Sequence, residues 1–264
     1  MLPRVTWVFG NATILGSAIS VADIQVTVND DTIDCLRKLY ALDHNVLGGF
    51  AGDVLAGFTI LASLQRYLHG HEDVLEMSQV YEALSTLAKD EFSRLDARNQ
   101  AGGSEILLAG ASTVKEAVYG SRADVGRFVY PDFEPEIVPR GEWASIGSGS
   151  DVESYRRELQ AVPGDEARGL MPLEANSPGG FANAMTISII DNVFNMPPVD
   201  GVSKHFHVGT VFAHGCTIRR SDRTYFPGDG PPQRVAMPEV ADSWPALTRL
   251  LERLMGRAVG AAQA

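Results

Sequence analysis

Several residues could carry chemistry. Asp23 interrupts the apolar stretch from Val21 to Val28, and a carboxylate facing inward there needs a partner. Thr6 sits at the start of a β-rich segment. A threonine hydroxyl is a poor nucleophile at its own pKa and acts only beside a base; without one it is simply a good strand former. Lys38 alone reads as a solvated strand charge. Gly147-Ser148-Gly149-Ser150 reads as a turn and helix cap, and Asp200-Gly201 as an ordinary turn. His205 and His207 would share one face of a strand, close in sequence to His214 and Cys216, which permits chelation. No second ligand pair has zinc-site spacing, so no metal is expected. The glycines near Gly48 and Gly179 match neither a phosphate-binding loop nor a dinucleotide fingerprint, so no cofactor is expected.

The elements that must position these residues follow from periodicity. Val5 to Val28 reads as strand, turn, strand, with Gly10-Asn11 the stronger turn signal and Gly16-Ser17 the weaker. Asp30-Asp31 opens a polar loop. Leu36 to Ala41 and Val46 to Ala51 read as strands joined at Asp43-His44-Asn45. Asp53 is placed to cap a helix from Val54 to Leu68, whose apolar residues recur at three and four. A second helix is expected from about Leu75 to Ala97, ended by Gly102-Gly103.

Strands are then expected at Glu105 to Ala109, Glu116 to Tyr119, Arg127 to Tyr130 and Trp143 to Ile146. A short helix follows at Asp151 to Gln160, a loop at Ala161 to Ser177, and a helix at Gly179 to Phe194. His205 to Phe212 and Cys216 to Arg220 read as strands. Phe226 to Pro238 reads as an exposed Pro/Gly loop, and Ser243 to Arg257 as a closing amphipathic helix with Pro245 in its first turn. Runs of strands alternating with helix pairs imply an α+β fold, with helices outside stacked sheets. Neither an internal repeat nor a linker divides residues 1–264, which read as one domain.

This order, with several local patterns, resembles the proteasome β-subunit (HslV-like) superfamily over nearly the whole chain. The strongest segment is Lys38-Leu39-Tyr40-Ala41-Leu42-Asp43, followed by Gly49-Phe50-Ala51-Gly52 and the Val54 helix. It is similar to the family's lysine strand, turn, glycine-ended strand and first helix. Thr6 and Lys38 are 32 residues apart, the spacing at which family members place their nucleophilic threonine and lysine. Asp23 falls one residue beyond the family's acidic position. Gly147-Ser148-Gly149-Ser150 resembles its serine-glycine turn, and Asp200-Gly201-Val202-Ser203 its aspartate and serine three apart.

The resemblance implies a four-layer αββα sandwich and N-terminal-nucleophile chemistry. Thr6 would act after removal of residues 1–5 as a leader, because a free α-amino group, titrating near 8, can then take the hydroxyl proton. Lys38 would lower that amine's pKa, with Asp23 holding Lys38 charged and oriented. The N–H of Gly52 would receive the oxyanion, and Ser148, Asp200 and Ser203 would surround the amine. The implied activity is threonine-type peptide hydrolysis on peptides or unfolded protein, in a homo-oligomeric ring with an ATPase partner. Val5 before Thr6 and Lys204 after Ser203 depart from the family pattern. They point to the alternative of a noncatalytic structural or regulatory subunit. A small-amide hydrolase of the same fold is a third reading, since fold does not fix substrate.

Composition bounds the rest. With 33 acidic against 22 Lys and Arg residues the formal charge is −11, which argues against nucleic-acid and anionic-membrane partners. Two cysteines in 264 residues build no disulfide framework, and a reducing cytoplasmic setting is expected. No run of about 18 apolar residues suggests a membrane-spanning helix.

Overall fold

The computed structural model describes residues 6–13, 15–28, 31–71, 73, 75–114, 117, 120–161, 189, 190, 192, 193, 195, 196, 202–219, 223–225, 231 and 233–262. The fold is mixed α+β with antiparallel sheets. One five-stranded sheet has the order β10-β1-β2-β11-β12, from Trp143–Ile146, Val8–Ala12, Ala18–Asp23, Phe206–Phe212 and Gly215–Arg219. The other runs β5-β6-β7-β8-β9, from Leu39–Asp43, Val46–Gly52, Ser104–Thr113, Ser121–Val129 and Glu136–Val138. Two ribbons complete the strands: β3 (Gln25–Val28) with β4 (Asp31–Asp34), and β13 (Arg223–Tyr225) with β14 (Gln233–Val235).

The first three helices start where the sequence provides a partner for orphan N–H groups. Asp53 accepts from the Ala56 N–H at 2.9 Å and opens α1 (Val54–His69), whose last turn carries Arg66 and His69 toward the negative end of the dipole. Gln79 reaches back to the Glu76 N–H at 3.0 Å at the start of α2 (Met77–Ser93). Asp96 caps α3 (Ala97–Ala101) through the Asn99 N–H. A 3-10 turn at Ser148–Asp151 leads into α4 (Glu153–Ala161), and α5 (Trp244–Ala262) closes the described chain.

Three apolar clusters show how these parts stack. Val8, Ala22, Leu39, Leu47, Leu107 and Ala109 meet between the two sheets. Phe50, Ile106, Leu108 and Phe128 of the second sheet pack with Leu61 and Leu64 of α1 and Leu84 of α2. Phe9, Val21 and Val208 of the first, with Trp7 just before β1, pack with Tyr155 and Leu159 of α4, and with Ile189 and Ile190.

Some expectations are corrected. Gly10-Asn11 is not a turn but the middle of β1, and the chain reverses between Thr13 and Ser17. A Cβ at Gly10 would stand 2.8 Å from the Ile19 carbonyl oxygen and 3.0 Å from Leu107 Cδ2, so this glycine serves close packing. The polar loop expected at Asp31 is β4, held by pairing with β3. β14 lies inside the expected Pro/Gly loop, and α5 runs past Arg257. Described positions 189, 190, 192 and 193 are helical, as expected for that segment. Residues 116, 118 and 119 of the expected strand, and residues 162 to 177 of the expected loop, lie outside the described residues.

Candidate active site

Asp23 ends β2, and its carboxylate is fully enclosed. Oδ1 accepts from the Trp7 N–H at 3.0 Å and from Lys38 Nζ at 2.7 Å. Oδ2 accepts from the N–H of Ser203 at 3.1 Å and of Gln25 at 3.3 Å. Burial pushes the Asp23 carboxyl above its usual range and the Lys38 ammonium below its own, while their mutual attraction opposes both shifts. Four donors on one carboxylate are what a buried ion pair needs to persist. The inward carboxylate thus has Lys38 as its partner.

Thr6 immediately precedes Trp7, so the same carboxylate fixes the strand entry that carries it. Only 4% of Thr6 is exposed. Its N–H donates to Ser148 Oγ at 3.1 Å, and its carbonyl accepts from that hydroxyl at 3.4 Å and from the Gly149 N–H at 3.2 Å. The turn can close this tightly because Gly147 has φ +82°, and a Cβ there would fall 2.2 Å from the Thr6 carbonyl oxygen. Glu105 Oε2 accepts from the Gly147 N–H at 2.9 Å, tying the turn to β7 of the opposite sheet.

Thr6, Lys38 and Gly52 line one cavity of about 710 Å³. Gly52 ends β6 with φ +90°; a Cβ would lie 2.6 Å from the Gly103 carbonyl oxygen. Asp23 stands behind Lys38, and Ser148 behind Thr6. Ser203 joins the cluster through its N–H on Asp23, while its hydroxyl donates to Asp34 Oδ2 at 2.8 Å. Asp200 lies outside the described residues.

Residues missed in the sequence include Asp34, Glu105 and the α5 side chains that line the cavity. Only the amphipathic period of α5 pointed to any of them. Lys204 donates from Nζ to the carbonyls of Val193 at 2.6 Å and Met196 at 2.8 Å, a helix-end contact away from the cavity. His205 Nε2 lies 3.9 Å from Asp34 Oδ2, and His207 is fully buried. Among the described residues no group of three His, Cys, Asp or Glu side chains is placed to hold a metal ion. Cys35 and Cys216 are free thiols. Among the described residues no helix is long and apolar enough to cross a membrane. No protein-family model matches the chain, and comparison with curated proteins also gives no match.

Proposed function

We propose that this chain is an N-terminal-nucleophile amide hydrolase of the proteasome-subunit type, built as a four-layer αββα sandwich, with Thr6 as its nucleophile. The observation that carries this reading is the meeting of Thr6, Lys38 and Gly52 on one cavity, with Asp23 locked behind Lys38. Stacked sheets with helices on their outer faces support the layered architecture.

The chemistry runs in two stages. In the first, Thr6 Oγ1 attacks the Val5 carbonyl carbon, the Val5–Thr6 C–N bond breaks, and the Thr6 nitrogen takes the hydroxyl proton. Water then cleaves the resulting ester and releases residues 1–5. Ser148 Oγ already sits at the nitrogen that leaves. In the second stage the freed amine takes the Oγ1 proton as Oγ1 adds to a substrate amide. The Gly52 N–H receives the oxyanion. The ammonium returns its proton to the departing amine, and water hydrolyses the acyl ester. Lys38 keeps the amine neutral by disfavouring a second nearby cation.

The substrates are peptides or unfolded protein, handled inside a homo-oligomeric ring with an ATPase partner. Light scattering on the purified protein tests the assembly; a monomer counts against the ring. Intact mass tests the chemistry. Loss of residues 1–5, and an adduct on Thr6 with an epoxyketone or β-lactone, are expected from the wild type and not from Thr6→Ala. A chain that retains residues 1–5 and takes no adduct overturns the hydrolase reading. That result favours a noncatalytic subunit, the reading supported by Val5 at the scissile bond and by the full engagement of the Thr6 peptide group.

A further inference from the structure

We propose that the C-terminal helix α5 forms the selective wall of this cavity, admitting amides whose acyl side carries a bulky apolar group. The proposal rests on Thr6 being the reacting group. Its starting point is an attachment. Ala241 forms a parallel bridge with Leu36: the Arg37 N–H donates to the Ala241 carbonyl at 2.8 Å, and the Ala241 N–H donates to the Cys35 carbonyl at 2.8 Å. Those bonds join the segment just before Lys38 to the residues that lead into α5. The helix therefore begins beside the site and cannot drift from it.

Trp244, Leu247, Thr248 and Leu251 then line the cavity, at the three- and four-residue spacing that puts them on one helix face. The lining also includes the apolar Val26, Val28 and Phe50, with the uncharged Gln25 and Thr27 alternating along β3. The charged groups that also border the space are already engaged or in water. Lys38 holds Asp23, the Asp53 carboxylate caps α1, and the Asp96 carboxylate caps α3. Arg98 is solvent-exposed. A charged substrate group entering between α5 and β3 would lose water without a counter-charge on the lining residues of either element, whereas an apolar one removes wall and ligand surface from water together. Trp244 is 43% exposed, and its ring is the part of the wall that such a group would cover. About 710 Å³ is room for an aromatic side chain with its flanking acyl group.

Turnover and binding test this together. Aminocoumarin amides of benzoyl-phenylalanine, benzoyl-aspartate and benzoyl-lysine are compared on the wild type. The phenylalanine amide is expected to show kcat/KM at least ~10-fold above the other two. Leu251→Trp, which fills the wall, is expected to lower that value about 10-fold, and Leu251→Ala to shift the preference toward naphthyl-sized groups. Thermal midpoints near the wild type confirm that both variants fold. Equal turnover of all three amides, or an unaltered preference in both variants, overturns the assignment of α5. If a β-lactone fails to label Thr6, the hydrolase reading has failed instead, and binding decides the present one. Thr6→Ala is then titrated with N-acetyl-phenylalaninamide and N-acetyl-aspartamide, reading tryptophan fluorescence against the same protein carrying Trp244→Phe. A Trp244-dependent response to the first amide alone sustains the apolar wall; no response, or the same response to both, ends it.

Discussion

Lys38 Nζ lies 2.7 Å from Asp23 Oδ1, and the two side chains are 1% and 0% exposed. Removing one partner strands the other charge away from water, which typically costs about 3–5 kcal/mol. Asp23→Asn and Lys38→Met are each expected to destabilise by that amount in urea unfolding. The double variant should lose clearly less than the two together, because the stranded charge is gone. Additive losses would show that the pair does not act as a unit.

Ser148 contacts both the backbone N–H and the carbonyl of Thr6. Ser148→Ala leaves the buried Thr6 N–H without this acceptor, a loss of about 1–3 kcal/mol. Removal of residues 1–5 should slow roughly tenfold or more, read by intact mass over time, since the hydroxyl sits at the leaving nitrogen. A normal processing rate alongside the stability loss would confine Ser148 to a structural part.

Glu105 holds the turn that presents Ser148. Glu105→Gln keeps an acceptor for the Gly147 N–H and should process at close to the wild-type rate. Glu105→Ala loses it and should slow processing without altering the pH at which the rate is half-maximal. A shift of that pH in either variant would mean that the carboxylate's charge, rather than its hydrogen bond, is what matters.

Gly147→Ala meets two obstacles, a φ of +82° and a Cβ 2.2 Å from the Thr6 oxygen. The backbone preference alone costs about 1–2 kcal/mol, and the contact forces Thr6 to move. Destabilisation beyond about 2 kcal/mol, with loss of probe labelling at Thr6, is expected.

Burial pushes the Cys35 thiol from 9.0 up to about 11, with nearby Lys38 opposing and Asp34 assisting. A raised folded-state pKa gives stability that is present below the unfolded value and is lost as pH rises through the folded one. Wild-type stability should therefore fall more steeply between pH 9 and 11 than that of Cys35→Ala, whatever the absolute cost of the cavity. Parallel curves in urea titrations across that range would contradict the assignment.

What could be read in advance depended on how local its cause was. The Asp53 cap and the apolar stripe of α1 were legible because both lie within one helix. β10 appeared at the expected residues, Trp143–Ile146, since its β-formers are bounded by breakers. The need of Asp23 for a partner was also legible from its apolar neighbours. Gly10-Asn11 misled because the same dipeptide serves a turn or a close sheet contact, and only Ile19 and Leu107, distant in sequence, decide which. β4 was hidden by Asp31 and Asp34, whose strand geometry comes from pairing with β3 rather than from propensity. For α5 the sequence announced an apolar face but not what it would cover, because the Leu36–Ala241 bridge joins positions far apart. Glu105 and Asp34 carried no local signal, since their partners Gly147 and Ser203 are supplied by the fold.

The contact between Asp23 and the Ser203 N–H spans 180 residues, and it has a consequence for the order of synthesis. Thr6, Asp23 and Lys38 leave the ribosome early, while Ser203 and the α5 wall follow after most of the chain has been made. At 5–20 residues per second that interval is roughly 10–40 s. During it the Asp23–Lys38 pair lacks the Ser203 N–H that completes its hydrogen bonding, so on the proposed hydrolase reading Thr6 gains its full surroundings only after the C-terminal third has been made.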